Sequence, residues 1–346
     1  MAHLLHVRNN NELAVRAAQY LNLNGQKDRP ANPVVNSDPT ISVRRITMEV
    51  SNPRDRWLSV HGRNNSTIAA IGEVLWVLAG RTDIDFLSKF VKRAINFSDD
   101  GKTWRAGYGE RLYHNGQLES VVNRLAENKD TRQAYLTIYN PELDTDLGIQ
   151  KQLGTKKTKD FVCNTTLYFS IKDNKLDLVV SNRSQDLIWG LCSINFIEFT
   201  ILQEVLANIL EVEVGTYTIF SNNLHYYIND LSVRQFDALN NTKDEEIKYA
   251  DNNLEVDTGN INSVDELRQC MLTVTQAIER GAEYISIEDY LIQRHAILEK
   301  SLIPQMCYIA CNHYNNRQID ASKILDSSLL SALKDSKIDS KELINI

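Results

Sequence analysis

The sequence predicts an α+β fold, and three observations lead there. Segments with strand-type alternation, ISVRRITMEV (41–50), AYLTIYN (134–140), CNTTLYFSI (163–171), KLDLVVSN (175–182) and TYTIF (216–220), are interleaved with helical ones. Two helical segments, IAAIGEVLWVLA (68–79) and INFIEFTILQEVLANIL (194–210), are apolar on nearly every side, and a helix of that kind is a buried one. After about residue 235 the strand signals cease and polar, helix-forming sequence takes over.

The elements follow in order. Residues 20–41 hold three of the six prolines among many Asn, Asp and Ser residues, which predicts a long ordered loop. Ser66 is placed to cap the first apolar helix and Gly80 to stop it. A helix over 119–127 precedes the middle strands, and the second apolar helix is expected to close near Gly215. The segment 236–260 reads as loop. Ser263-Val-Asp-Glu266 is a capping box opening a helix that reaches Gly281, with further helices over 286–301 and 305–314. The last 20 residues are polar and expected to be mobile.

Composition removes several function classes. With 346 residues the chain can bury a sizeable core, as one large domain or two. Its 38 Lys and Arg against 45 Asp and Glu leave a net charge of −7, which opposes general affinity for nucleic acid but not a small anion held by a few arginines. No run reaches the roughly 18 consecutive apolar residues of a membrane span. Asn10, Asn11 and Glu12 stand where a secretion signal needs apolar residues. Five scattered cysteines fit a reduced, cytoplasmic protein.

Four features invite chemistry. Glu73 lies in the middle of the first apolar helix, either neutralised by a nearby arginine or facing a groove, or else a proton-shuttling acid in a pocket. Cys163 follows the Lys-rich loop KQLGTKKTKD, a field expected to favour thiolate, although a cysteine is also a small buried hydrophobe. Cys307, Cys311 and nearby His313 lack the second ligand cluster a metal site needs. The run Ser181-Asn-Arg-Ser-Gln-Asp186 suits an anion site or a capped, salt-bridged turn. Asn222-Asn-Leu-His-Tyr-Tyr227 is a polar loop whose His225 and Tyr227 would point the same way on an extended chain.

Taken in order, these pieces resemble the thymidylate synthase and pyrimidine-nucleotide hydroxymethylase family over about residues 40–230, close to 60% of the chain. The resemblance rests on Ala69–Gly80 as the glutamate-bearing helix, Ala106-Gly-Tyr-Gly109 as a Tyr-Gly turn and Lys129-Asp-Thr-Arg132 as a phosphate motif. It rests also on Cys163 standing 20 residues before Arg183, then Arg183-Ser-Gln-Asp186, Asn195 and His225-x-Tyr227. It implies a three-layer fold with a large mixed sheet at a homodimer interface, a catalytic domain over 1–235 and a helical extension over 236–346 packed on it.

The resemblance further implies one-carbon transfer to C5 of a uridylate, dUMP foremost, from 5,10-methylenetetrahydrofolate. Cys163 would attack C6. Arg183, Ser184, Arg29 and, across the dimer, Arg132 would hold the phosphate. Asn195 would read uracil N3–H and O4, Asp186 would touch the base or folate, His225 and Tyr227 the sugar, and Glu73 and Tyr108 would organise water and protons. No metal is implied.

Four departures bear on the product. Asn164 stands where a histidine is common, Gln133 replaces the second arginine of a pair, and Trp104 is out of register with the family's stacking tryptophan. No folate-closing tail is recognisable. The stretch Gly190–Asn195 is one residue longer than usual. Loss of closure favours water over hydride at the final step, hence 5-hydroxymethylation. Reductive methylation to dTMP is the alternative, and a catalytically silent nucleotide-binding protein the second.

Overall fold

The computed structural model describes residues 3–29, 38–250 and 253–345. The chain opens with β1 (His3–Val7), α1 (Asn10–Asn24), β2 (Gln26–Asp28) and β3 (Thr40–Val50). Next come α2 (Thr67–Leu78), α3 (Ile84–Phe90), α4 (Tyr108–Tyr113), α5 (Gln117–Glu127), β4 (Tyr135–Thr137), α6 (Pro141–Asp144) and α7 (Asp146–Leu153). The hairpin β5 (Asn164–Lys172) and β6 (Lys175–Asn182) leads through the short β7 (Gln185–Asp186) into a π-helical segment, Leu187–Ile194, continuous with α8 (Asn195–Ile209). The long β8 (Glu213–Tyr227) follows, then α9 (Asp230–Asn240), α10 (Val264–Glu279), α11 (Tyr284–Asp289), α12 (Leu302–Tyr314), β9 (Ile319–Asp320), α13 (Ser327–Asp335) and β10 (Leu343–Ile344).

The strands form one mixed sheet in the order β1-β3-β8-β6-β5-β4, with β2 on β3 and β7 on β8. Alternation sorts its faces. Tyr217, Ile219, Leu178, Val180, Leu167 and Phe169 point inward to the core, while Phe220, Tyr168 and Tyr135 stand exposed on the other side. The inner face carries α8 and α1, and α2 packs on the far side of α8, so its all-round apolarity reflects burial on every side: each residue of α2 is buried. Leu187–Ile209 is long and apolar enough to cross a membrane, yet 94% of its most apolar window is buried in the fold, which makes it a core helix.

Local chemistry sets the ends of α2. Ser66 Oγ accepts from the Ala69 N–H at 3.4 Å, and Gly80 takes φ +67°, a left-handed conformation that ends the helix at low cost. A Cβ on Gly109 would come within 2.5 Å of the Val77 carbonyl oxygen, so only glycine lets α4 approach the end of α2.

Several expectations are corrected. Within the expected loop 20–41, residues up to Asn24 complete α1 and Gln26–Asp28 pairs with β3; residues 30–37 lie outside the described residues. The second apolar helix ends at Ile209, and Gly215 lies inside β8, because the strand already starts at Glu213. That strand runs on to Tyr227 and absorbs the expected loop 222–227 by pairing with β3. The expected loop 236–260 begins with the end of α9, and the helix expected over 286–301 is confined to α11 and a π-helical turn, Tyr290–Arg294. At the 263–266 box, Ser263 Oγ caps the Glu266 N–H at 3.2 Å, but the Glu266 carboxylate reaches Asn262 N instead.

Through residue 345, the C-terminal segment is packed against the fold. Asp339, 1% exposed, accepts from the Thr67 N–H at 2.6 Å and the Ile68 N–H at 3.3 Å at the start of α2. With α10 and α12 also against α2, the C-terminal helices share one hydrophobic core with the sheet.

Candidate active site

The β5–β6 hairpin explains the 20-residue spacing of Cys163 and Arg183. Antiparallel register places Asn164 opposite Asn182, and one step further out the Arg183 N–H donates to the Cys163 carbonyl at 2.9 Å. The Arg183 guanidinium is fixed by Nε to the Val162 carbonyl at 2.8 Å and Nη2 to the Phe161 carbonyl at 3.0 Å. In that pose Nη2 lies 3.6 Å from Cys163 Sγ. Burial pushes the thiol pKa up, the Arg183 charge opposes this, and Asp160 and Asp186 add to the rise. The expected thiolate-favouring lysine field is therefore corrected. Lys159 Nζ turns to the Ser98 carbonyl and Lys156 pairs with Asp146, so neither acts on the sulphur.

Tyr108 begins α4 and meets the residue after the cysteine. Its hydroxyl accepts from Asn164 Nδ2 at 3.0 Å, and its ring stacks on Phe199 with centroids 5.9 Å apart. Burial, with the nearby Cys163 and Glu198, keeps this phenol protonated. Asn164 thus stands as a hydrogen-bond donor to Tyr108.

Parallel pairing of β7 with β8 sets Asp186 beside His225. Ser184 Oγ lies 3.5 Å from His225 Nδ1, which also meets Asn223 Oδ1 at 3.0 Å. Burial lowers the His225 pKa, so the ring is neutral at pH 7. His225 and Tyr227 do share a side, with ring centroids 5.2 Å apart, and burial pushes the Tyr227 phenol up to about 12. Asp186 Oδ1 caps the π-helical segment through the Ile188 N–H at 2.9 Å. The negative charge of Asp186 acts on Cys163, His225 and Tyr227, so these side chains lie near one another at the strand ends.

Asn195, first residue of α8, is half-buried, and its side-chain amide has no hydrogen bond among the described residues. The π-helical turns before it take up the extra residue seen in the sequence, since an insertion into a helix widens a turn. Glu73, 7% exposed on α2, has Oε2 sealed off without a hydrogen-bond partner. Burial raises its pKa to about 8, and Arg93 pulls against that rise. Arg93 itself lies 4.1 Å from the centre of the half-buried Trp189 ring.

Two of the sequence-derived phosphate ligands stand apart from this cluster. Arg132 is exposed after α5, and Arg29 is exposed beyond β2, its N–H bonded to Asp28 Oδ1 at 2.9 Å; neither side chain has an ion pair among the described residues. Trp104 is turned into the wall, its indole N–H donating to the Ala94 carbonyl at 2.9 Å and its ring edge-on to Trp76. Cys307 and Cys311 are buried, and His313 bridges Glu342 and the Lys89 carbonyl. No cluster able to hold a metal occurs among the described residues. Sequence reasoning missed Glu198 and Arg93, although an acid inside the second apolar helix carried the same signal that flagged Glu73.

A thiol beside an arginine, an asparagine amide without a hydrogen bond among the described residues and a buried glutamate thus occur together in one α+β fold built on a mixed sheet. Residues 23–293 match the thymidylate synthase family model, and the chain belongs to that family. The match runs beyond residue 235 into the C-terminal helices. The chain is 34% identical over 218 residues to a deoxyuridylate hydroxymethyltransferase of Delftia phage PhiW-14, covering 62% of this chain and 61% of that protein. It is 38% identical over 205 residues to the deoxyuridylate hydroxymethyltransferase of Bacillus phage SP01, 56% of this chain and 51% of the relative. A thymidylate synthase of Francisella philomiragia is 25% identical over 174 residues, 47% of this chain and 62% of that one. The chain thus spans about half to three-fifths of the length of the curated relatives it matches.

Proposed function

We propose that this protein transfers a one-carbon unit from 5,10-methylenetetrahydrofolate to C5 of dUMP and releases the 5-hydroxymethyl nucleotide. The observation that carries the reading is the fixed pair of Cys163 Sγ and the Arg183 guanidinium at 3.6 Å, with Glu73 buried and unpaired in the neighbouring helix. Uracil C5 is a poor nucleophile, and addition of sulphur at C6 makes it an enolate carbon. Arg183 stabilises the thiolate once its proton has left to solvent, and with Ser184 it binds phosphate. Asn195 donates to O4 and accepts from N3–H of the base.

The residues fit a folate. Half-buried Trp189 offers apolar surface, and Asp186 has one carboxylate oxygen beyond its capping bond to accept from a ring N–H. When bound, the folate supplies a carbon at the oxidation level of formaldehyde. With its pKa near 8, Glu73 is protonated at neutral pH and can give its proton to O4 as sulphur adds to C6. Bond formation from C5 to the folate carbon would restore C4=O. Loss of the C5 proton with cleavage of both folate C–N bonds would leave an exocyclic methylene on the nucleotide, the O4 and C5 protons ending on the two released nitrogens. Water then adds to that methylene. The π pair moves to O4, the Glu73 carboxylate takes the water proton, and the enolate re-forms C5=C6 as the C–S bond breaks. Hydroxymethylation over methylation is supported by Trp104 facing the wall and by the packed C-terminal segment, which is engaged at the start of α2.

We place the enzyme in the cytoplasm, in keeping with five free cysteines, as a homodimer that docks through the exposed sheet face around Tyr135, Tyr168 and Phe220 and lends Arg132 to its partner's phosphate. We keep 1–235 as the catalytic domain and 236–346 as the extension that braces it. Mass analysis of the product from dUMP and methylenetetrahydrofolate tests the reaction. Gain of CH2O supports it; gain of CH2 with dihydrofolate released makes the protein a thymidylate synthase, and no Cys163 adduct with 5-fluoro-dUMP and folate removes the enzyme reading altogether.

A further inference from the structure

The two buried glutamates of α8 are treated differently by their surroundings. Glu204, fully buried, takes Arg54 Nε at 2.9 Å, Arg56, and the Val256 N–H at 3.0 Å, so both of its oxygens are used. Glu198 is 3% exposed, and both of its oxygens are sealed off without a hydrogen-bond partner. The helix packed against it, α2, presents a second buried carboxyl with an orphaned oxygen, Glu73 Oε2. The titratable groups facing Glu198 are Glu73 from α2, Tyr108 from α4 and Tyr217 from β8. The π-helical segment offers Cys192, which faces Arg63, and β6 ends there in neutral Asn182, also unpartnered. Arg93 acts on Glu73, and among the described residues no cation acts on Glu198.

Two carboxyls desolvated together without a cation between them cannot both ionise, and their bare oxygens are satisfied best by each other. We infer that Glu198 is a positioning residue that keeps its own proton and donates a hydrogen bond to the Glu73 carboxylate formed each time Glu73 gives its proton to the substrate ring. The proton count closes. The pair holds two protons at rest, one once Glu73 has protonated the ring, and two again after the attacking water is deprotonated. Desolvation and the Glu73 charge push the Glu198 carboxyl well above the ordinary carboxylate range. The catalytic part of this inference rests on the proposed function; the hydrogen bond itself does not.

Infrared titration of the carboxyl bands of the free protein tests it without substrate. In the wild type Glu73 should ionise near 8 while the Glu198 band persists. Glu198→Leu, close in volume but without a donor, should move the Glu73 midpoint up by about one pH unit, whereas Glu198→Gln, which retains an N–H donor, should leave it in place. The kcat of Glu198→Leu at pH 7 should fall about tenfold with KM unchanged, and Glu198→Gln should restore most of it. If Glu198→Leu does not fold, Glu73→Gln serves instead, and its remaining Glu198 band should survive through the whole titration. A Glu73 midpoint that Glu198→Leu leaves unmoved, or a Glu198 band lost below that of Glu73, overturns the inference. Absence of any Cys163 adduct in the wild type would sink the proposed function while leaving the titration result standing.

Discussion

At the scale of single residues, burial keeps protons on the two groups that the proposed reaction requires to release them. Cys163 rests as a thiol because burial outweighs the Arg183 charge, and Glu73 rests as an acid for the same reason. The second case has a thermodynamic signature. The Glu73 pKa rises from 4.5 to about 8 on folding, so the folded state binds that proton more tightly. The corresponding stabilisation is fully present below 4.5 and is lost as pH climbs through 8. Glu73→Gln should match the wild type near pH 4 and exceed it near pH 9 by up to about 4 kcal/mol, read as unfolding temperature across pH. Parallel curves for the two proteins would mean that Glu73 is neutralised by a partner. Asn195 is proposed to read the base in the same local sense, since its amide both donates and accepts. Asn195→Asp should shift preference toward dCMP by about ten- to a hundredfold in relative kcat/KM, measured in competition with dUMP. Equal loss on both nucleotides would move base reading elsewhere.

At the scale of elements, the position of Glu73 depends on what holds α2 in place. Its N-terminal N–H groups are capped by Asp339, 272 residues away from Thr67, as well as by Ser66. The Asp339 pKa is raised to about 6 by burial, so its proton too favours the folded state, an effect complete below 3.8 and lost as pH rises through 6. Asp339→Asn should flatten stability between those values, and Asp339→Ala should cost about 1–2 kcal/mol at all pH through the lost cap. Denaturant midpoints at pH 4 and pH 7 decide between these effects. This contact also shows where sequence ran out. The hairpin strands, the two buried helices and the Cys163–Arg183 spacing were legible because local alternation and pairing distance determine them. Asp339 was not, because a polar residue near the terminus looks solvated until its partner is known. Glu198 and Glu204 look alike in sequence, and only Arg54 and Arg56, brought from another loop, tell the structural glutamate from the unpaired one. The strand through Asn222–Tyr227 was hidden for a similar reason: β3 pairing overrides a polar local composition.

At the scale of the whole molecule, the sheet has a covered face and an open one, and the proposed phosphate site calls for an arginine from outside the Cys163–Arg183 cluster. Tyr135, Tyr168 and Phe220 are 56%, 47% and 37% exposed on the open face, a row that one chain alone leaves in water. Arg132 projects into solvent next to β4 at the same edge and has no ion pair among the described residues. Both facts fit the proposed twofold dimer packed sheet to sheet, in which each protomer would lend Arg132 to the other's Cys163 site. The consequence is complementation between two dead proteins. Cys163→Ser lacks the nucleophile but can lend Arg132; Arg132→Ala has the nucleophile but cannot lend the arginine. Each homodimer should lose nearly all activity. Mixed after mild dissociation, random reassortment makes half of the dimers hybrid, each with one complete site, so activity should recover to about a quarter of wild type. Phe220→Lys, placed in the middle of the same face, should abolish that recovery and give a monomer in sedimentation, because a charge cannot be buried there without a partner. Sustained inactivity of the mixture, with dimers present, would assign Arg132 to its own chain or to no phosphate at all.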